Sequence, residues 1–304
     1  RFAMAAVDAG LGSDLIPIGM ALGLVFSPEI GQEPESHAAR ARLEKYFGGR
    51  EIDTESARVW CRAAEGAALP LPDQARSQAL RNILNRLDYF LAELKLQKFA
   101  HLSNYSPAGL SGRFDVFGKK LQKTLKAKNQ GDLEEVQACF AFIQKHVLAP
   151  EELDRIGRAE MAIRLVRWLN APAVPNQSIS LPDLARFYHL DGGYLDWARN
   201  RLRETDVSSP LQAAYQQILS QVDAGLVGLE KQFSEKLAEW TRNADESRRL
   251  ICIEDVLAKV VIPAAKDQPV LLLVLDGMSV AVFRQLISDI ERQNWVEIAN
   301  EQQG

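Results

Sequence analysis

The chain has 304 residues, 47% apolar and 25% charged, with a formal net charge of −4 and a pI near 5.7. That length suffices for two domains, and a core of such size buries roughly 75% of the unfolded surface. The slight acidity gives no global pull toward nucleic acid, and no apolar run approaches the roughly 18 residues of a bilayer-spanning helix.

The chain opens on Arg1, and no charged segment leads into an apolar stretch with a small-residue cleavage site, so no signal peptide is visible. Near the start, Gly10-Leu11-Gly12 has the beginning of a dinucleotide fingerprint, but the third glycine position holds Leu15. Cys61, Cys139 and Cys252 are far apart in apolar-patterned segments. They read as reduced structural thiols of a cytoplasmic protein, since no Cys-x-x-Cys pair exists.

Further along, Pro70 and Pro72 precede a helical pattern from about Asp73 to Lys98, with Leu80, Ile83, Leu84, Leu87, Leu91 and Leu94 forming one stripe. Pro107, Gly109 and Gly112 predict a loop over Ser103 to Gly112. Asp132 starts a helix with Leu133, Val136, Phe140 and Ile143 on one side. Ser180 ahead of Pro182, and Ser209 ahead of Pro210, each place a capping hydroxyl before a first-turn proline. From Pro210 to about Arg242 a long amphipathic helix is expected, interrupted near Gly225 and Gly228. Trp168 and Trp197 have helical neighbours of mixed polarity and read as packing anchors. Residues 1–250 are thus expected to form a helical module.

The pattern changes at Pro269. Val270-Leu271-Leu272-Leu273-Val274-Leu275 is apolar without alternation, as in a strand buried on both faces of a parallel sheet. Asp276-Gly277 ends the run, and Ser279 is placed to cap a helix carrying Val280, Phe283, Leu286, Ile287 and Ile290 on one face. Trp295-Val296-Glu297-Ile298 reads as a second strand. The expected fold is therefore mainly α, followed over residues 251–304 by a linking helix and the opening β-α-β of an α/β domain. Two strands cannot make a two-sided sheet, so that domain is expected to continue beyond Gly304.

Asp276 is the sharpest chemical candidate. Ligands of open α/β sheets sit outside the carboxyl ends of the strands, and a carboxylate ending a dry strand needs a cation or several donors. It is either a metal ligand or a cap of the following turn. No P-loop is present, and Met278 stands where a dehalogenase-type second aspartate is required. His37, His101, His146 and His189 lie on separate segments without metal-ligand spacing and read as structural. Lys119, Lys120, Lys123, Lys126 and Lys128 form the one charge cluster. They are either a solvated helix face or a contact for phosphate, nucleic acid or an acidic partner; five phosphate contacts imply a salt slope of about −4.5.

The block Val270 to Ser279, with Phe283-Arg284-Gln285-Leu286 after it, resembles the opening of the PglZ domain of bacteriophage exclusion (BREX) and phage growth limitation systems, in its type 2 form. Arg42 to Tyr46, Trp60 to Glu65, Glu160 to Leu169 and Val260 to Pro263 are similar to that family as well. The resemblance implies the alkaline phosphatase superfamily: a metal-dependent phosphohydrolase with zinc or manganese and a Ser or Thr nucleophile. Asp276 matches the first-strand aspartate, a metal ligand. The nucleophile and remaining ligands are expected beyond Gly304, so no catalytic residue is assigned within the chain. The fragment alone is expected to be inactive, to hold no metal, and to serve as a helical scaffold. Implied partners are other phage-defence proteins. Docking on those proteins, or contacting nucleic acid, is the alternative role.

Overall fold

The computed structural model describes residues 2–68, 73–127, 130–170, 180–242 and 250–296. Thirteen α-helices are defined among them: α1 (Phe2–Asp8), α2 (Leu15–Val25), α3 (Pro34–Glu44), α4 (Thr54–Ala68), α5 (Asp73–Glu93), α6 (Pro107–Ala127), α7 (Gln130–Gln144), α8 (Leu153–Asn170), α9 (Leu181–Phe187), α10 (Gly193–Leu202), α11 (Ser209–Arg242), α12 (Ile262–Ala265) and α13 (Val280–Glu291). Short 3-10 segments and two π turns, Tyr188–Gly192 and Leu257–Val261, join them. The mainly α expectation holds. The chain divides into two compact units, one made of Arg1–Glu160 with Asp206–Ala214, the other of Met161–Thr205 with Tyr215–Gly304.

The first unit is organised around α2, LIPIGMALGLV, which carries no charged or hydrogen-bonding side chain and must be covered on nearly every side. Gly19 and Gly23, four residues apart, share a face, and that face meets α4. A Cβ on Gly19 would lie 2.6 Å from Ala64, and one on Gly23 would lie 2.5 Å from the Cys61 sulfur. Bare backbone is what allows the two helices to approach. Trp60 then donates its indole N–H to the Leu15 carbonyl at 3.0 Å. Arg86 grips Asp14 with two 2.8 Å bonds beside the start of α2. The Gly10-Leu11-Gly12 turn ends α1: Gly10 has φ +82°, and Leu11 N–H reaches the Ala6 carbonyl at 2.8 Å, a glycine helix stop.

Three buried polar side chains of this unit, Arg113, His146 and Asp206, are held by hydrogen bonds. Arg113, 2% exposed, donates to the carbonyls of His101, Ser103 and Phe142 and to the Asn104 side chain. Its plane lies 3.6 Å from the Phe142 ring centroid, and burial lowers its pKa to about 10. His146, also 2% exposed, accepts the Leu148 N–H at Nδ1 and faces the Ser106 carbonyl with Nε2 at 3.0 Å. That pairing assigns the proton to Nε2. Burial first, and the nearby Arg113 charge second, hold this imidazole down at about 4. The Asp206 carboxylate, fully buried, takes a two-pronged hydrogen bond from Arg155 (2.8 and 2.9 Å) and lies 3.6 Å from Arg158. It also accepts the Ser208 N–H at 2.8 Å. Arg155 is itself stacked 3.8 Å above Phe114.

Several expectations need correction. Residues 107–112 are helix, not loop. Pro107 sits in the first turn of α6 and Ser106 is the cap, accepting the Gly109 N–H at 2.9 Å. The glycines there serve packing, since a Cβ on Gly109 would lie 2.3 Å from the Ala100 carbonyl oxygen. Helix α5 stops at Glu93, because Lys95 takes φ 59° and Leu96 N–H bonds back to the Leu91 carbonyl. The cap of α11 is Ser208, whose hydroxyl accepts the Leu211 N–H at 3.3 Å; Ser209 already lies in the helix. Helix α11 also runs through Gly225 and Gly228 without a break. Gly225 leaves room for Trp168, 3.1 Å from where a Cβ would be.

The largest correction concerns the β-α-β opening. The helix is present as α13, with Ser279 accepting the Val282 N–H at 3.3 Å. The strands are not: no strand occurs among the described residues, and Val270–Leu275 has no regular structure. No backbone hydrogen bond among the described residues involves this run. A strand exists through its ladder, and a run with no neighbour to pair with cannot form one. The second proposed strand has Trp295 and Val296 outside any strand, while Glu297 and Ile298 lie outside the described residues.

Candidate functional site

Asp276 follows the apolar run in a turn completed by Gly277 at φ 71°. It is exposed, as is the run, from 42% at Val270 to 81% at Leu271. Ser279 caps α13, three residues on. No group of three or more His, Cys, Asp or Glu able to hold a metal occurs among the described residues. One carboxylate does not make a zinc centre, which takes three or four protein ligands. These residues do not make a metal site on their own.

The lysines are placed unequally. Lys119, Lys120, Lys123 and Lys126 lie on α6, and Lys128 lies outside the described residues. Lys120 is ion-paired with Glu135 of α7, and Lys123 lies 3.6 Å from Asp132 of the same helix. The Glu135 hydrogen bond raises the Lys120 pKa, and the same contact lowers that of Glu135. Local acids therefore already balance two members of the row, leaving Lys119 and Lys126 exposed on α6. Two phosphate contacts would give a salt slope of about −1.8 in place of −4.5.

The three cysteines are free and half-buried. Burial, reinforced by Glu65, pushes the Cys61 thiol up to about 12, and burial also raises Cys139. A thiol held protonated is a poor nucleophile.

Sequence reasoning missed a cavity in the second unit. It has a volume of about 450 Å³ and is lined by Leu184, Ala185, Phe187, Tyr188, His189, Asp196, Leu226, Leu229, Glu230, Phe233, Ser234 and Val280. The residues come from α9, the π turn that follows it, α10, α11 and the start of α13. The π turn re-aims Tyr188, and π turns recur at functional sites. Tyr188 donates its hydroxyl to Asp196 at 2.5 Å. Burial, then that bond, pushes the phenol up to about 12. Arg199 holds the other Asp196 oxygen at 2.7 Å and reaches Asp223 at 2.6 Å. Arg284 of α13 donates to the His189 and Leu190 carbonyls. Two glycines make the arrangement fit: a Cβ on Gly192 would lie 2.4 Å from the Tyr188 ring, and one on Gly193 would lie 2.5 Å from Val280. The paired glycines at 192–193 were the available sequence signal.

Among the described residues no helix is long and apolar enough to cross a membrane. Residues 1–105 match the family model of the BREX system PglZ second domain. No curated protein and no solved structure matches the chain.

Proposed function

Because residues 1–105 carry this relationship to the PglZ proteins of BREX phage defence, we propose that the chain is the helical scaffold of a metal-dependent phosphohydrolase working in the cytoplasm with other defence proteins. Within that reading, residues 251–304 begin the catalytic domain. Val270–Leu275 becomes its first strand once further strands flank it, and Asp276 at the carboxyl end becomes one ligand of a zinc or manganese site. Bound there, the metal would supply Lewis-acid activation of a phosphate ester. Ser279 stays a helix cap and is not the nucleophile.

The observation that carries the reading is the exposed run itself. Six consecutive apolar residues, 42–81% exposed, are costly in water and have the composition of a strand covered on both faces. As a strand of an open sheet, the run would bring Asp276 to the end where such sheets bind ligands. Docking onto a methyltransferase, kinase or ATPase of the same system is the role proposed for the helical part. Nucleic-acid contact finds less support, because Glu135 and Asp132 already occupy Lys120 and Lys123.

Two measurements test this. Purified residues 1–304 should not hydrolyse p-nitrophenyl phosphate with zinc or manganese added, and turnover by this chain would overturn the scaffold reading. In the complete PglZ protein, Asp276→Asn should lower metal content; unchanged occupancy would remove Asp276 from the ligand set.

A further inference from the structure

The cavity of the second unit has a chemistry that neither the scaffold role nor the proposed metal ligand explains. Its walls are apolar and aromatic, with Phe187, Tyr188 and Phe233 around Leu226 and Leu229. Its volume of about 450 Å³ lies within the range of small-molecule sites. The charged side chains that line it are carboxylates, Asp196 and Glu230. They differ in what they already hold. Asp196 has one oxygen on Tyr188 and the other on Arg199. Glu230 has no ion-pair partner among the described residues; the Ser234 hydroxyl bonds to its main-chain carbonyl, not to its carboxylate. Arg199 is turned to Asp196 and Asp223, and Arg284 to the His189 and Leu190 carbonyls.

We propose that this cavity binds a small organic ammonium ion with an apolar body, its charge against Glu230 and its carbon frame against Phe187, Tyr188 and Phe233. An ammonium group is attracted by aromatic faces as well as by a carboxylate. An organic anion meets two carboxylates, with His189 the one basic side chain of the lining. A neutral apolar molecule gains the walls but draws nothing from the Glu230 charge. The reading is independent of the metal-site proposal.

The test uses the full chain and three probes of one shape: 4-phenylbutylammonium, 4-phenylbutan-1-ol and 4-phenylbutanoate. Calorimetry, with tyrosine-ring NMR shifts to locate binding, should find the ammonium probe bound about tenfold tighter than the alcohol, with the carboxylate weakest. Glu230→Gln, an exposed position, should remove most of the ammonium advantage and leave the alcohol's affinity unchanged. That unchanged affinity also shows that the variant folds. Equal affinity for all three probes, an ammonium preference that survives in Glu230→Gln, or no binding of the ammonium probe at millimolar concentration would each overturn the proposal.

Discussion

Replacing Asp206 by Ala should be among the most damaging single changes in the first unit. Its carboxylate is fully buried, Arg155 is 9% exposed at the side chain, and Arg158 is 12% exposed. Removing the acid leaves the Arg155 guanidinium with little water and without its two-pronged partner, a situation that costs about 3–5 kcal/mol. The buried Ser208 N–H also loses its acceptor. Against a typical total of about 5–15 kcal/mol, that is a large fraction. Urea unfolding followed by circular dichroism should show the midpoint falling with little change in slope. The double variant Arg155→Met, Asp206→Leu should recover part of the loss, because apolar replacement of both partners removes the stranded charge. Residual cost is expected from Ser208 and from Arg158. A loss below about 1 kcal/mol for Asp206→Ala would refute the reasoning, since it would mean that water reaches the pair.

Further outcomes follow from burial and close packing. The folded His146 imidazole titrates at about 4, below the unfolded value near 6.5. The unfolded chain therefore takes up the proton first. This contribution is complete above about pH 6.5 and fades as pH falls toward 4, by at most about 3 kcal/mol; NMR should show a His146 signal that does not move above pH 5. Gly23→Ala should cost about 1–3 kcal/mol through its clash with the Cys61 sulfur, and adding Cys61→Ala should return most of it, as read from thermal melts. Gly193→Ala should push Val280 away and weaken the contact of α10 with α13, seen as faster amide exchange over 280–291. The Cys61 thiol, held near 12, should resist iodoacetamide at pH 8 in the folded chain and react once urea is added.

What the sequence discloses here depends on whether the controlling contact is local. Ser180 with Pro182 and Ser279 before Val280 are read directly, because a cap and its N–H lie three residues apart. Ser208 and Ser209 are adjacent hydroxyls, and only the side-chain direction decides which one caps. At Gly109 and Gly112 the local rule favours a loop, yet the neighbour that wants a bare backbone is Ala100 or His101. Lys120 and Lys123 look like an uncompensated row until α7 brings Glu135 and Asp132 against them. The cavity was illegible for the same reason: Tyr188 and Val280 are 92 positions apart, and no motif links them. Conversely, the apolar run before Asp276 has a clear strand pattern, but pattern alone cannot supply the partner that a ladder requires.

The route of the backbone has a practical consequence. The first unit takes its nine residues 206–214 from far down the chain, and a polypeptide cut after Glu160 lacks Asp206 beneath Arg155. It also lacks the Leu211 backbone, which fills the notch at Gly118 where a Cβ would lie 2.4 Å from its nitrogen. An expression boundary drawn at 160, or at the 105 where the family match ends, would isolate a body missing one of its own parts. Two-piece reconstitution with a synthetic peptide spanning 203–216 should rescue the fragment that ends at 160.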